Sequence, residues 1–505
     1  MADRILKHLC DYALKLSYRD LPQEVIRRTK HIVLDTVGCA LGGAGSPPAK
    51  IARAAASEIT SAIPSTVLVN GLKTSPDLAA FANGVMIRYL DFNDTFAGSP
   101  TCHPSDLLAP VLAVVDAKNG DGKDVILGMV LGYEVLCGLI DAGANERGRI
   151  WDQSTYGVIA AAVAAAKLFG LAKEQMANAI SLAVTSHISL EQIRRGQISH
   201  WKGCALANAS RNAVFCAMLA GKGMTGPQEV FEGKAGFFSS TGIRFEITPF
   251  ADSADAYRIM KARVKAFPAG YFSQSAIEAI LNLRSQISDI DPSTRSPAMA
   301  GDHSLGIPPG NRGVVLSERS ESKGDVSGAP GLPVGLHDIK EIRLQTFPAG
   351  YEVMGSGEAN WRPETRESAD HSLPFVMAVA LMEGSVEIRH YDQMYYKRPD
   401  VRTLMQKIKV RIGEEPVAAW PEVPLNIVDI EMKSGKVLST KVAYHLGHFK
   451  RLMTEEEQER KFRPLAEPLL PKKQIDDLLA CLRRLDEVEQ IGELISLTVA
   501  PKLSA

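Results

Sequence analysis

The chain lacks an excess of charge of either sign. Its 505 residues hold 57 Lys and Arg against 58 Asp and Glu, a formal net charge of -1. No long-range field draws it to nucleic acid or to an anionic membrane, and neither is expected as a partner. Cysteine pairs are missing too. The seven cysteines are widely spaced and odd in number, and no Cys-x-x-Cys occurs. That argues against a zinc ribbon, an iron–sulfur cluster and a disulfide framework. Most cysteines sit among Ala, Leu and Val, as buried thiols do, and a reduced, cytoplasmic setting is expected. No apolar run reaches the roughly 18 residues that a membrane span needs. The Ala-rich stretch 158–166 is too short, and Lys167 closes it. The first residues show neither the apolar stretch of a signal peptide nor the Arg/Ser-rich look of a transit peptide. A Walker loop, His-Glu-x-x-His and Gly-x-Ser-x-Gly are all absent. The one Gly-x-Gly-x-x-Gly match, 221–226, follows a helix rather than a strand and reads as a helix stop. Nucleotide cofactors, zinc hydrolysis and serine-hydrolase chemistry lose support. No metal and no cofactor is expected.

What is present is an ordinary globular balance, 45% hydrophobic and 23% charged, in a chain long enough for two or three domains. The first half reads as helix after helix. Residues 3–16 carry apolar side chains at helical spacing. Pro22 opens a second helix through residue 40, and Gly42-Gly-Ala-Gly-Ser-Pro-Pro ends it. Further helices are expected at 50–58, 75–92, 105–118, 122–141, 154–169, 173–186 and 203–222. Strand signals are scarce there, with 65–70 the main exception.

Near residue 265 the character changes. Lys265-Ala-Phe-Pro-Ala-Gly breaks the helical rhythm, which restarts over 273–283. Residues 290–335 are rich in Ser, Gly, Pro, Asp and Arg and read as a flexible surface insertion. A strand is expected at 339–347, a helix at 371–383, and a β-hairpin from 426–432 and 437–444 around Lys433-Ser-Gly-Lys. Helices return at 454–470 and 473–485. The fold class is thus mainly α. A large all-helical domain spans 1–265 and is rejoined by 448–498. A smaller α+β domain, 266–447, is inserted between them. A cleft between such domains is the default place for a small-molecule site.

Three groups of residues suggest chemistry. The first is Tyr89-Leu-Asp-Phe-Asn-Asp-Thr with Asp91, Asp94 and Thr95, followed by His103 in Pro-Thr-Cys-His-Pro-Ser-Asp. On a helix, Asp91 and Thr95 would share a face. Ser105 suits an N-cap for the helix 105–118. An imidazole at 103, oriented by Asp91, could move a proton near neutral pH. The bland rival is a capping cluster with a surface histidine. The second group is cationic: Arg194 and Arg195, then Lys202 at a helix start, and Lys265 at the domain boundary. Cations beside free N–H groups make a carboxylate pocket, against the rival of solvated surface lysines. The third is Trp361-Arg-Pro-Glu-Thr-Arg-Glu-Ser-Ala-Asp-His-Ser-Leu-Pro, which also reads as an ordinary loop and N-cap.

Together these residues resemble the MmgE/PrpD family. The carriers are Tyr89-Leu-Asp-Phe-Asn-Asp-Thr, which is similar to the family's LDFDDT signature, and His103-Pro-Ser-Asp, Gly132-Tyr-Glu, Ser199-His-Trp-Lys-Gly, Met224-Thr-Gly-Pro, Lys265-Ala-Phe-Pro-Ala, Thr365-Arg-Glu-Ser-Ala-Asp-His-Ser-Leu-Pro and Lys461-Phe-Arg. The resemblance runs from about residue 5 to 498, apart from the insertion. It implies a helical domain with a smaller α+β lid, as a homodimer, without metal or iron–sulfur cluster. It implies a lyase acting on a small di- or tricarboxylate: a 2-methylcitrate dehydratase-type hydro-lyase first, with a cis-aconitate decarboxylase or a racemase/epimerase as alternatives and a non-catalytic ligand-binding scaffold as the remote one. The family's active-site Asp and Thr fall on Asp91 and Thr95, its loop His on His103, and its two lysines on Lys202 and Lys265. Asn93 stands where the signature has its second Asp. A His of the decarboxylase members corresponds to Trp151 or Gln153. Another gives way to Gly270, Tyr271 and Phe272. Tyr156 or Tyr351 is left to supply a hydroxyl. Lys202, Lys265, Arg194 and Arg195, with Gln153, Tyr156 and Tyr351, are the expected substrate-binding residues.

Overall fold

A computed structural model describes residues 3–98, 101–143, 151–194, 198–247, 250–251, 253–290 and 335–501. Most of the expected insertion, 291–334, lies outside the described residues, as does Arg195. The chain forms two compact units. Unit 1 is Met1–Ala266 with Leu446–Ala505, and unit 2 is Phe267–His445.

Unit 1 is helical. It contains α1 (Arg4–Lys15), α2 (Gln23–Gly43), α3 (Pro47–Ser57), α4 (Pro76–Tyr89), α5 (Leu108–Ala117), α6 (Gly122–Asp141), α7 (Ser154–Leu168), α8 (Lys173–Ser186), α9 (Trp201–Gly221), the short α10 (Phe237–Thr241) and, from the C-terminal part, α19 (Glu455–Ala466), α20 (Lys472–Arg483) and α21 (Ile491–Leu497). Caps set several starts. Asp3 accepts from Leu6 N–H at 2.9 Å, and Asp121 from Asp124 N–H at 2.8 Å. The Pro47-Pro48 pair, expected to lie in a break, instead opens α3 behind Ser46, because Pro costs nothing in a first turn. α5, α6 and α7 are apolar nearly all round and are buried on all sides. The expected strand shrinks to a two-residue pair, β1 (Ser65–Thr66) with β2 (Lys73–Thr74).

Small residues decide how closely these helices pack. A Cβ on Gly43 of α2 would lie 2.1 Å from the Met86 carbonyl oxygen of α4. A Cβ on Gly84 of α4 would lie 2.8 Å from Ala207 Cβ of α9, and one on Gly203 would lie 3.4 Å from Tyr89 Cα. The C-terminal end of α4 and the N-terminal end of α9 therefore meet almost backbone to backbone.

Unit 2 holds a four-stranded sheet of order β4-β3-β5-β6, made of β3 (Ile339–Thr346), β4 (Ile408–Ile412), β5 (Asn426–Met432) and β6 (Val437–Val442). β3 pairs parallel with β4 and antiparallel with β5, and β5–β6 is the expected hairpin, turning at Gly435 with φ 86°. Asn426, Val428, Ile430 and Met432 alternate inward, and α11 (Gln274–Ile290) packs on this pair of strands. The chain crosses from β3 to β4 through α12 (Pro348–Met354), α13 (Glu358–Trp361), α14 (Arg366–Ala369), α15 (Leu373–Glu383), α16 (Ile388–Asp392) and α17 (Pro399–Gln406). α18 (Glu414–Ala419) follows β4. β4 was not anticipated. It is a five-residue edge strand on which only Ile408 is buried, so its sequence gives little amphipathic contrast. No helix among the described residues is long and apolar enough to cross a membrane. All seven cysteines are free thiols.

Candidate active site

α4 stops at Tyr89, and the chain turns sharply. Asp91 takes a left-handed conformation with φ 51°. For a side chain other than Gly this costs about 1–3 kcal/mol, and such strain gathers at functional sites. The helical face that would have joined Asp91 to Thr95 therefore does not exist, because the helix ends two residues before Asp91.

The turn points the Asp91 carboxylate at three cations. Oδ1 accepts from Arg88 Nη1 at 2.5 Å and from Lys265 Nζ at 2.6 Å. Oδ2 lies 3.2 Å from Lys202 Nζ. Lys265 Nζ also donates to the Asp91 carbonyl at 2.8 Å. The cations are almost sealed from solvent: Arg88 is 3% exposed, Lys202 5% and Lys265 0%. Each arrives by a different route. Arg88 is one turn back on α4. Lys202 is in the first turn of α9, brought in by the Gly203–Tyr89 approach. Lys265 follows Arg263, whose backbone exchanges two 2.8 Å hydrogen bonds with Thr95. Burying ions costs several kcal/mol each before pairing returns it, so such a cluster points to function more than to stability.

His103 lies on the loop that returns toward α5. Its backbone N–H donates to Gln153 Oε1 at 2.8 Å, and its Nδ1 lies 2.8 Å from the Asp94 carbonyl oxygen. A carbonyl only accepts, so Nδ1 carries the proton and Nε2 keeps the lone pair. Thr95 Oγ1 is 3.4 Å from the same Nδ1. Burial holds His103 well below the ordinary imidazole pKa; Arg88 and Lys265 push the same way and Asp91 opposes them. The ring is thus a neutral base. It is the Asp94 carbonyl that orients it, while the Asp91 side chain is committed to cations. This corrects the expected Asp91–His103 orientation.

The loop itself is braced by buried polar groups. Asp94 accepts from Ser105 N–H at 3.0 Å and from the Tyr133 hydroxyl at 2.7 Å. Asn93 donates to Ser105 Oγ at 2.8 Å and to Asp106 Oδ1 at 2.7 Å. Ser105 is therefore a loop brace rather than the expected N-cap. Asp106 sits 3.7 Å from Arg88 Nε, and burial raises it to about 7, with Arg88 opposing. Burial also brings Lys265 down to about 8, with Asp91 resisting the shift and Arg88 reinforcing it.

The remaining expected residues divide. Gln153 is at the site as the acceptor for His103. Its segment is held by bonds such as Asp152 N–H to the Ser189 carbonyl, 2.8 Å. Arg194 bonds Asp152 through Nε at 2.5 Å and feels the charge of Asp91. Tyr156 is a core aromatic, fully buried and edge-on to Phe237 at 6.5 Å. Tyr351 is on α12 in unit 2, partly exposed. Arg88, missed in the sequence, had one signal: it is the sole cation on the mostly apolar α4. Tyr133 was visible only as part of Gly132-Tyr-Glu.

Residues 7–248 match the MmgE/PrpD N-terminal domain, and residues 320–486 match the MmgE/PrpD C-terminal domain. The chain belongs to the MmgE/PrpD family. Within the family it is 25% identical over 500 residues to a human cis-aconitate decarboxylase, covering 97% of this chain and 93% of that protein. It is 29% identical over 475 residues to a 2-methylcitrate dehydratase of Escherichia coli K12, covering 89% and 87%. A cis-aconitate decarboxylase of Aspergillus terreus is 24% identical over 524 residues, covering 99% and 97%. These relatives are lyases of two kinds, dehydratases and decarboxylases.

Proposed function

We propose that the chain is a lyase acting on a small di- or tricarboxylate by removing a proton next to a carboxylate. The observation that carries this reading is the convergence of Arg88, Lys202 and Lys265 on Asp91, beside a neutral imidazole with Nε2 available as acceptor. Substrate carboxylates would engage Lys202 and Lys265, with Arg194 adding its charge and Gln153 holding the His103 loop. His103 Nε2 would take the proton and, as imidazolium, would return it to the hydroxide leaving the adjacent carbon, so that water departs and the alkene forms. The developing aci-carboxylate would be stabilised by cations that are already fixed, a term worth about 3–4 kcal/mol per donor. A base so placed contributes on the order of 100- to 10,000-fold. Thr95 would steady the His103 edge. None of these steps calls on a metal.

Among lyases we favour a 2-methylcitrate dehydratase-type hydro-lyase. The Escherichia coli K12 dehydratase is 29% identical, against 25% and 24% for the two decarboxylases, and the family resemblance puts Trp151, or Gln153, where decarboxylase members carry a His. A decarboxylase is the second reading, supported by the longer matches to cis-aconitate decarboxylases. The test is a turnover screen on 2-methylcitrate, citrate and cis-aconitate, following alkene absorbance, CO2 release and optical rotation. Alkene without CO2 supports the hydro-lyase; CO2 from cis-aconitate supports the second reading; silence on all three removes both.

A homodimer forms part of the proposal. Ile188, Leu190, Trp201 and Phe215 are large apolar side chains exposed on unit 1, and Trp201 and Phe215 fall on one face of α9. Light scattering should give twice the chain mass, and Phe215→Glu should shift the protein toward monomer. A monomer at micromolar concentration would remove this part. Seven free thiols suit a cytoplasmic setting.

A further inference from the structure

Next to the Asp91 turn, at Phe92, lies a second buried ion pair that the proposed chemistry does not use. Lys461, on α19, donates through Nζ to the Phe92 carbonyl at 2.8 Å and to Asp35 Oδ1 at 2.6 Å. The same Nζ stands 4.0 Å over the centre of the Phe92 ring. Lys461 and Asp35 are both buried, at 6% and 5% side-chain exposure. Phe92 is the residue immediately after Asp91. One ammonium group thus grips both the backbone and the side chain of Phe92, across 369 positions of sequence.

The packing that delivers Lys461 is equally specific. α19 lies on a glycine face of α2. A Cβ on Gly38 would lie 2.8 Å from Phe462, the neighbour of Lys461, and one on Gly42 would lie 2.6 Å from Leu465 and 2.9 Å from Leu90. Leu90 is the last residue before Asp91. α2, α19 and the end of α4 therefore meet around the turn, with Asp35 on α2 supplying the counter-charge.

We propose that Lys461 is a positioning residue that holds the left-handed Asp91 turn, and with it the geometry of the Lys202–Lys265 pair, through Phe92. The inference rests on the lyase reading above. Releasing the Phe92 carbonyl lets the strained turn relax, which swings the Asp91 carboxylate away from the lysines. The lysines keep their charge, so ground-state binding of an anionic substrate survives better than the transition-state geometry does.

The test is steady-state kinetics on the best substrate of the turnover screen. Lys461→Met removes the donor and is expected to lower kcat about 100-fold, the scale of a displacement near 1 Å, with KM changing by less than kcat. Lys461→Arg keeps a charged donor and a cation over the ring and should recover most of the loss. Lys461→Gln, an uncharged and shorter donor, is the second variant, read in place of Met should Met not fold. Folded Lys461→Met with wild-type kcat overturns the proposal, as does failure of both Met and Gln to fold, which would place Lys461 in the scaffold alone. A wild-type protein silent on every substrate overturns the lyase reading, and this inference with it.

Discussion

At the scale of the residue, Lys265 ties pH to the proposed mechanism. It is a buried ammonium brought down to about 8, so its charge is present below that pH and is lost above it. His103 is depressed, so its base form is present from below the ordinary imidazole range upward. The two signs combine into one profile. The kcat/KM of the free enzyme should be level through neutrality and fall above about pH 8. Lys265→Arg should move that alkaline limb upward, since guanidinium stays charged. An unmoved limb would detach it from Lys265. The candidate residues Asp91, Thr95, His103, Lys202 and Lys265 were legible in the sequence as types at a spacing. Their bonding was not. The left-handed turn at Asp91 reverses the chain within two residues, so which oxygen faces which cation depends on a backbone conformation that helical spacing misassigns. Arg88 was hidden because a lone cation near a helix end reads as favourable to the dipole.

At the scale of the element, α4 and α9 place the site. Gly84 faces Ala207, and a Cβ added at Gly84 would lie 2.8 Å from Ala207 Cβ. Gly84→Ala therefore overpacks the pair and should destabilise the protein by about 1–3 kcal/mol in urea unfolding, with activity falling more steeply in Gly84→Val as Lys202 is pushed off Asp91. An unchanged unfolding midpoint in Gly84→Ala would contradict the packing described. The long amphipathic and apolar helices were readable because their period is strong: α6 was expected at 122–141 and spans Gly122–Asp141. The short helices between β3 and β4 were not readable. Segments of four to eight residues, such as α13, α14 and α16, carry no resolvable period. Their starts are set by local caps, as Thr365 accepting from Ser368 N–H at 3.1 Å shows. β4 escaped for a related reason: its parallel pairing to β3 is a long-range contact with one buried side chain to announce it.

At the scale of the whole molecule, the helical unit is closed by residues from both ends of the chain. Val264 N–H bonds the Gly447 carbonyl at 2.9 Å, and Ile491 N–H bonds the Gly120 carbonyl at 2.9 Å. Residues distant in sequence, Asp35, Asp91, Lys202, Lys265 and Lys461, are thereby drawn into one buried electrostatic assembly. Composition could announce a change of character near 265, but not that the returning segment would bring Lys461 to Phe92, beside Asp91. The central claim is that this assembly abstracts a proton from a polycarboxylate through His103. Its most direct test is alkene absorbance on 2-methylcitrate with wild type and a folded His103→Ala. Alkene formation by wild type without CO2, lost at least 100-fold in His103→Ala, is the result expected. Undiminished turnover in the folded variant would contradict it.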